Sequence, residues 1–140
     1  MKLLAYEVDK RSFLGVLNED ETWVYPVSAA GMEYRSMKDL IREAGPSEME
    51  MLDYISKKAP GDVMGAAPVD EIRVVSPIAE PDQDIICLGI NYMDHAEESA
   101  RFEKRAFEKP EKAIYFSKRV NRTNDPDGII PAHKNLTNQL

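Results

Sequence analysis

Cysteine is nearly absent from this 140-residue sequence: Cys87 stands alone. A lone thiol forms no internal disulfide and cannot build a zinc site from cysteine pairs. Histidine is almost as scarce, so imidazole chemistry has only His95 and His133 to draw on. No apolar run approaches the roughly 18 to 20 residues that span a bilayer. The opening MKLLAYEVDK also turns polar too early for a secretory leader. Positive charge is in deficit: 18 Lys+Arg stand against 25 Asp+Glu, a formal charge of −7. Sequence-independent nucleic-acid binding runs on Lys and Arg neutralising phosphates, so this balance argues against such a partner. What these absences leave is the expectation of a cytoplasmic protein with neither membrane nor nucleic acid as partner.

What is present is ordinary globular material. Hydrophobic residues make up 43% and charged residues 31%, enough apolar surface for one compact domain or two small pieces sharing a core. The charge is uneven. Residues 1–72 carry 8 basic and 14 acidic side chains, and 73–140 carry 10 and 11. Within the latter, 101–122 holds 8 basic against 3 acidic. Such a run suits a solvated helix face, or a local positive field that draws in a small anion.

Three short apolar runs open the chain, Lys2–Tyr6, Ser12–Leu17 and Thr22–Tyr25, separated by polar turn-forming tripeptides. They predict an antiparallel meander. Ser36 then caps a helical stripe of Met37, Leu40, Ile41 and Ala44, stopped by Gly45-Pro46. Ser47 with Glu50 has the form of a capping box opening a second helix that runs to Lys57-Lys58. Pro60–Pro68, with its prolines and glycines, reads as a linker or surface loop. Beyond it, Ile72–Val75 and Ala113–Phe116 read as strands. The near-continuous apolar run Asp84–Ile90 reads as a strand buried on both faces. Asn91 to about Phe102 reads as a helix and Asp125–Gly128 as a turn. The packing expectations are that Tyr6, Phe13 and Trp23 fill the first core, that Cys87 is a small core residue, and that Met32, Met37, Met49 and Met51 pack helices. The class is α+β, with a small N-terminal domain over 1–72 and a second, β-rich part over 73–140.

Chemistry concentrates in Leu88-Gly89-Ile90-Asn91-Tyr92-Met93-Asp94-His95-Ala96-Glu97-Glu98. A strand ends at Gly89 and Asn91 is placed to cap the helix after it. On that helix His95 and Glu98 stand at i and i+3, on one face. A carboxylate beside an imidazole fixes its tautomer and stabilises the imidazolium formed on proton uptake. The same spacing equally suits a surface ion pair.

The run from Asp84 to Glu98 resembles the start of the catalytic domain in the fumarylacetoacetate hydrolase family, a hydrophobic strand followed by Gly-x-Asn-Tyr-x-x-His-x-x-Glu. Ile114–Arg119 resembles that family's next strand, and Gly128–Pro131 the loop before its metal site. The resemblance implies a fumarylacetoacetate-hydrolase-like β-roll, of which 73–140 is the first and incomplete part, behind the small domain of 1–72. It implies an enzyme of small anionic 2-oxo or β-diketo acids, in 2-oxo acid metabolism or aromatic catabolism, that hydrolyses a carbon–carbon bond or decarboxylates, hydrates or tautomerises its substrate. His95 and Glu98 would be the acid–base pair, and Lys118 and Tyr92 would bind substrate, although a mobile surface lysine has the same local sequence as Lys118. The resemblance further implies a homodimer and a divalent cation, magnesium, manganese or calcium, held by a Glu-x-Glu pair expected just beyond Leu140. Asp125 and Asp127 read as a plain turn rather than a replacement, and His133 as a loop histidine, so no metal site and no activity are expected of these 140 residues alone. The contrasting reading is a non-catalytic binding module in which the His95–Glu98 pair is structural.

Overall fold

The computed structural model describes residues 1–89 and 112–137. They fall into two compact units: 1–79 with 123–137, and 80–89 with 112–122.

In the first unit the three apolar runs become β1 (Leu3–Val8), β2 (Arg11–Leu17) and β3 (Trp23–Pro26), paired antiparallel in chain order as the meander predicted. Asp9 and Lys10, with φ of 49° and 65°, make the two-residue turn between β1 and β2. Positive φ at both positions gives the turn a twist that matches the strands. The Asn18 side-chain oxygen accepts from the Thr22 and Trp23 amides and organises the turn into β3. The sheet is completed at its edges by β4 (Ala67–Pro68) beside β3 and β5 (Arg73–Val75) beside β1, giving the order β4-β3-β2-β1-β5.

Two helices follow β3. Helix α1 (Met37–Glu43) starts where Ser36 accepts from the Asp39 amide at 3.2 Å, and gives way to Ala44 ahead of Gly45-Pro46. Of its predicted stripe Met37 and Leu40 are buried, whereas Ile41 is 62% exposed, since one 100°-wide face holds no more in seven residues. Helix α2 (Pro46–Ser56) begins ahead of the expected Ser47–Glu50 box. Pro46 occupies the first helical position, where its missing N–H costs nothing, and Glu48 reaches back to accept from the Gly45 amide at 3.1 Å. Ser47 donates its hydroxyl to Glu48 instead of capping. Hydrogen bonds from the Glu48 backbone, the Ser47 hydroxyl and the Gly45 amide hold the Glu48 carboxyl below its ordinary value.

The core lies between the helices and one face of the sheet, where Val16, Tyr25, Leu40 and Leu52 are fully buried with Val27, Met37, Ile55 and Val63. Tyr25 donates its hydroxyl to the Lys58 carbonyl at 2.7 Å, so the deepest aromatic carries no unpaired polar atom. Trp23, Met32 and Met49 pack against this cluster, and Met51 is exposed. On the other face Tyr6 is buried and stacks on its cross-strand partner Phe13, itself 39% exposed, with centroids 5.6 Å apart.

Two segments differ from expectation. Pro60–Pro68 is no linker: it forms a 3-10 turn at Pro60–Asp62, buries Val63 and supplies β4. Proline is compatible with this because β4 is an edge, where a missing donor leaves no partner unsatisfied. Arg73–Val75, expected to open the second part, pairs with β1 and extends the first unit past residue 72, through register Ala5↔Val75, Tyr6↔Val74 and Glu7↔Arg73.

In the second unit β6 (Ile85–Gly89) and β7 (Ile114–Lys118) pair antiparallel as a two-stranded ribbon. The predicted strands form, but β6 is not buried on both faces: Ile86 is 73% and Leu88 41% exposed. Among the described residues this ribbon has no third strand and no packed layer. The expected helix from Asn91 to Phe102 lies outside the described residues.

Candidate functional site

Gly89 closes β6 and leads into the segment that carries the expected chemistry. His95, Glu98 and Tyr92 lie outside the described residues, and β6 and β7 flank them in the chain. Gly89 is paired with Ile114 and Ile85 with Lys118. Lys118 thus stands four rungs from the point where the chain leaves toward Tyr92, about 13 Å along the ribbon. Its side chain is exposed, and its ammonium lies 5.9 Å from the Phe116 ring centroid, near the outer limit of a cation–π contact. Arg119 is exposed beside it. Cys87, opposite Phe116, is half-buried rather than a core residue.

The Asp125–Gly128 turn forms as predicted, with the Gly128 amide donating to the Asp125 carbonyl at 3.0 Å and Asp127 at φ 61°. Asp125 does more than turn the chain. Its Oδ1 accepts from the Ser76 amide at 2.9 Å and its Oδ2 from Arg73 Nη2 at 2.7 Å. The other arm of the same guanidinium reaches Glu7 on β1, also at 2.7 Å. No sequence pattern could have found these partners, which stand 49 and 52 residues from Asp125. A carboxylate already matched to a guanidinium and an amide is poorly disposed to take a hard cation, which wants several converging oxygens. Among the described residues no three His, Cys, Asp or Glu side chains gather as metal ligands. His133 is exposed at φ 45°, its carbonyl accepting from the Leu136 and Thr137 amides, as suits a loop residue.

A surface pocket of about 260 Å³ in the first unit is lined by Lys2, Asn18, Glu19, Glu21, Asp53 and Lys57 among others. Its two lysines are paired to Glu21 and Asp53. With the Met1 amino group, its three cations balance Glu19, Glu21 and Asp53, so the wall offers no excess positive field to collect a small dicarboxylate. Among the described residues no helix is long and apolar enough to cross a membrane.

No family model matches the chain. Over its whole length it is similar to the oxaloacetate tautomerase YisK of Bacillus subtilis (strain 168), with 27% identity across 150 aligned positions. The alignment covers 100% of this chain and 48% of the relative, so the chain spans about half the length of that curated protein.

Proposed function

We propose that these residues belong to an enzyme that interconverts the tautomers of a small 2-oxo acid, with oxaloacetate the first substrate to test. The observation that carries this reading is the similarity of the whole chain to about half of an oxaloacetate tautomerase. The run Gly89-x-Asn91-Tyr92-x-x-His95-x-x-Glu98 supplies the residue types the reaction needs. Among the reactions that the fumarylacetoacetate hydrolase resemblance implies, the name of this relative favours tautomerisation over hydrolysis.

The chemistry is a proton shift. A proton leaves the carbon next to the 2-oxo group, the electron pair moves onto the carbonyl oxygen, and that oxygen takes up a proton. Nothing is oxidised and no water is consumed. An imidazole is suited to both halves because it titrates near neutrality. In this reading His95 carries the proton, Glu98 fixes the tautomer, and Lys118 and Tyr92 bind the substrate's oxygens. The ribbon adds a condition: for Lys118 to meet the same substrate as His95, the residues after Gly89 must return along it by about 13 Å. No carboxylate cluster among the described residues fits the divalent cation that the resemblance implies, and no step here is routed through one. The homodimer belongs to the same proposal, as does a catalytic part that follows the small first unit, whose sheet takes in Arg73–Val75. So does the expectation that the 140 residues alone are silent, because negative charge building on the substrate oxygens would meet water instead of fixed positive charge.

The test follows the ultraviolet absorbance of enol-oxaloacetate with the natural protein and with the 140-residue chain, each with and without magnesium. His95→Ala in the active protein is expected to lower the rate by about 100-fold or more. Full activity in that variant would remove His95 from the mechanism. Turnover by the 140-residue chain would overturn its silence.

A further inference from the structure

The turn over 125–128 sets a side chain where the backbone favours none. The Gly128 amide donates to the Asp125 carbonyl at 3.0 Å, closing a turn with Pro126 and Asp127 at its centre. Proline fixes φ near about −65°, and Asp127 has φ 61°. That combination is a type II turn, whose third residue is normally glycine or asparagine. An L-residue held there crowds its β-carbon against the following carbonyl oxygen. Glycine comes next, so no side chain shields the nitrogen that follows Asp127. A β-carbon at Gly128 would lie 2.2 Å from Asn124 Oδ1, so any other residue would displace the Asn124 side chain, which donates to the Ile129 carbonyl at 3.2 Å. The Asp127 side chain is exposed, and among the described residues its carboxylate has no hydrogen-bond or ion-pair partner. Asp-Gly occurs nowhere else in the sequence.

We propose that Asp127-Gly128 is a site of spontaneous isomerisation, at which the main chain is rerouted through the Asp127 side chain. The Gly128 nitrogen gives up its proton and bonds to Asp127 Cγ, while one carboxyl oxygen leaves as water. Both groups belong to adjoining residues, so the ring closes without loss of translational freedom. Water then opens the cyclic imide at either carbonyl. Opening at Cγ restores aspartate. Opening at the main-chain carbonyl leaves isoaspartate, with Cβ and Cγ in the main chain and a free α-carboxylate. Composition is unchanged and nothing is oxidised or reduced. The turn bond at Gly128 must be released first, and at so exposed a turn water takes its place. The lengthened link escapes the φ limits of an α-linked residue, so the rearrangement relieves the crowding at Asp127. The inference stands whether or not the tautomerase reading does.

The test incubates the whole chain, folded, at neutral pH and probes it with a protein-isoaspartate methyltransferase, which esterifies the free α-carboxylate. Electron-transfer fragmentation of the peptides locates the modified residue. Isoaspartate should accumulate at position 127 ahead of every other aspartate. Asp127→Glu, whose longer side chain closes a larger ring, should lose the signal. Asp127→Asn should gain mass at that position, as the same imide forms with loss of ammonia and is then hydrolysed. The same chain unfolded in guanidinium chloride times the reaction of the bare sequence. If the unfolded chain isomerises and the folded one stays intact at 127, the native turn protects the bond and the proposal is overturned. It is overturned equally by undiminished methylation of Asp127→Glu, by an Asp127→Asn chain that keeps its amide, or by isoaspartate spread evenly over the aspartates.

Discussion

At Gly15 the sheet has no room for a side chain, and Gly15→Ala measures how tightly it is packed there. The residue sits in β2 between Leu4 of β1 and Pro26 of β3. A β-carbon there would lie 2.4 Å from Val24 Cγ2, 2.8 Å from Tyr6 Cε1 and 3.1 Å from the Tyr25 carbonyl oxygen, whereas carbon atoms pack at about 3.5–4.0 Å. Neither obstructing side chain is a loose end: Val24 is 0% and Tyr6 3% exposed, and Tyr6 is stacked on Phe13. Relief therefore requires an off-rotamer side chain or a shift of β3, at about 1–3 kcal/mol. Alanine returns about 0.4–1 kcal/mol by narrowing the unfolded ensemble. Overpacking wins, and at about 4–8 °C per kcal/mol for a unit of this size the midpoint should fall by roughly 5–15 °C. Gly61→Ala is the control. A β-carbon there meets nothing within 4 Å, so the same unfolded-state gain should appear unopposed as a rise of a few degrees. Thermal unfolding followed by the fluorescence of Trp23, which packs on the core, reads both variants. If Gly15→Ala leaves the midpoint unchanged or raises it, β1, β2 and β3 are not packed as described.

Tyr25→Phe should lower stability by about 1–2 kcal/mol, because it strands the Lys58 carbonyl that the fully buried Tyr25 now satisfies. The urea midpoint should fall at constant m-value, and an unchanged midpoint would show that the bond contributes nothing net. For Glu48 the folded carboxyl titrates below its ordinary value of 4.5, so its contribution to α2 is fully present above that value. It is lost as pH falls through the depressed folded value. NMR titration of the Glu48 carboxyl should show the lowered midpoint, and Glu48→Gln should flatten that part of the stability–pH curve.

Sequence order and local chemistry made the meander and α1 legible, because each rests on neighbours in the chain: alternating apolar residues, a serine cap, a Gly-Pro stop. The features that escaped are set by partners far away. Pro68 looks like loop punctuation until Trp23 is seen across from it at the sheet edge. Val75 looks like the start of a new element until Ala5 is seen beside it. Helix α2 shows two chemistries competing over a few residues. Ser47 and Glu50 spell a capping box, yet Pro46 preorganises the first turn and moves the reciprocal carboxylate to Glu48. Asp125 is the extreme case, since its turn is local and its ion pair is not. For the candidate site the sequence offers residue types and spacing in 89–98, most of which lies outside the described residues, and the flanking register of β6 and β7 is one that no local pattern sets.

The contrast between the two units bears on the proposed chemistry. Among the described residues every member of the buried apolar core lies between Ala5 and Val63, so the first unit closes its own core. In the ribbon, residues facing each other across the strands share a face. Ile85, Cys87, Ile114 and Phe116 form one face, and Ile86, Leu88 and Tyr115 the other. Both faces are thus apolar, and Ile85, Ile86, Leu88, Ile114, Tyr115 and Phe116 are all at least 40% exposed. A two-stranded ribbon is marginal by itself in water, and one apolar on both sides requires cover on both. The doubly buried strand expected over Asp84–Ile90 matches the strand's apolar composition, but Ile86 and Leu88 remain exposed. The ribbon adjoins, in the sequence, the residues proposed to move protons, where exclusion of water would strengthen every charge interaction the reaction relies on.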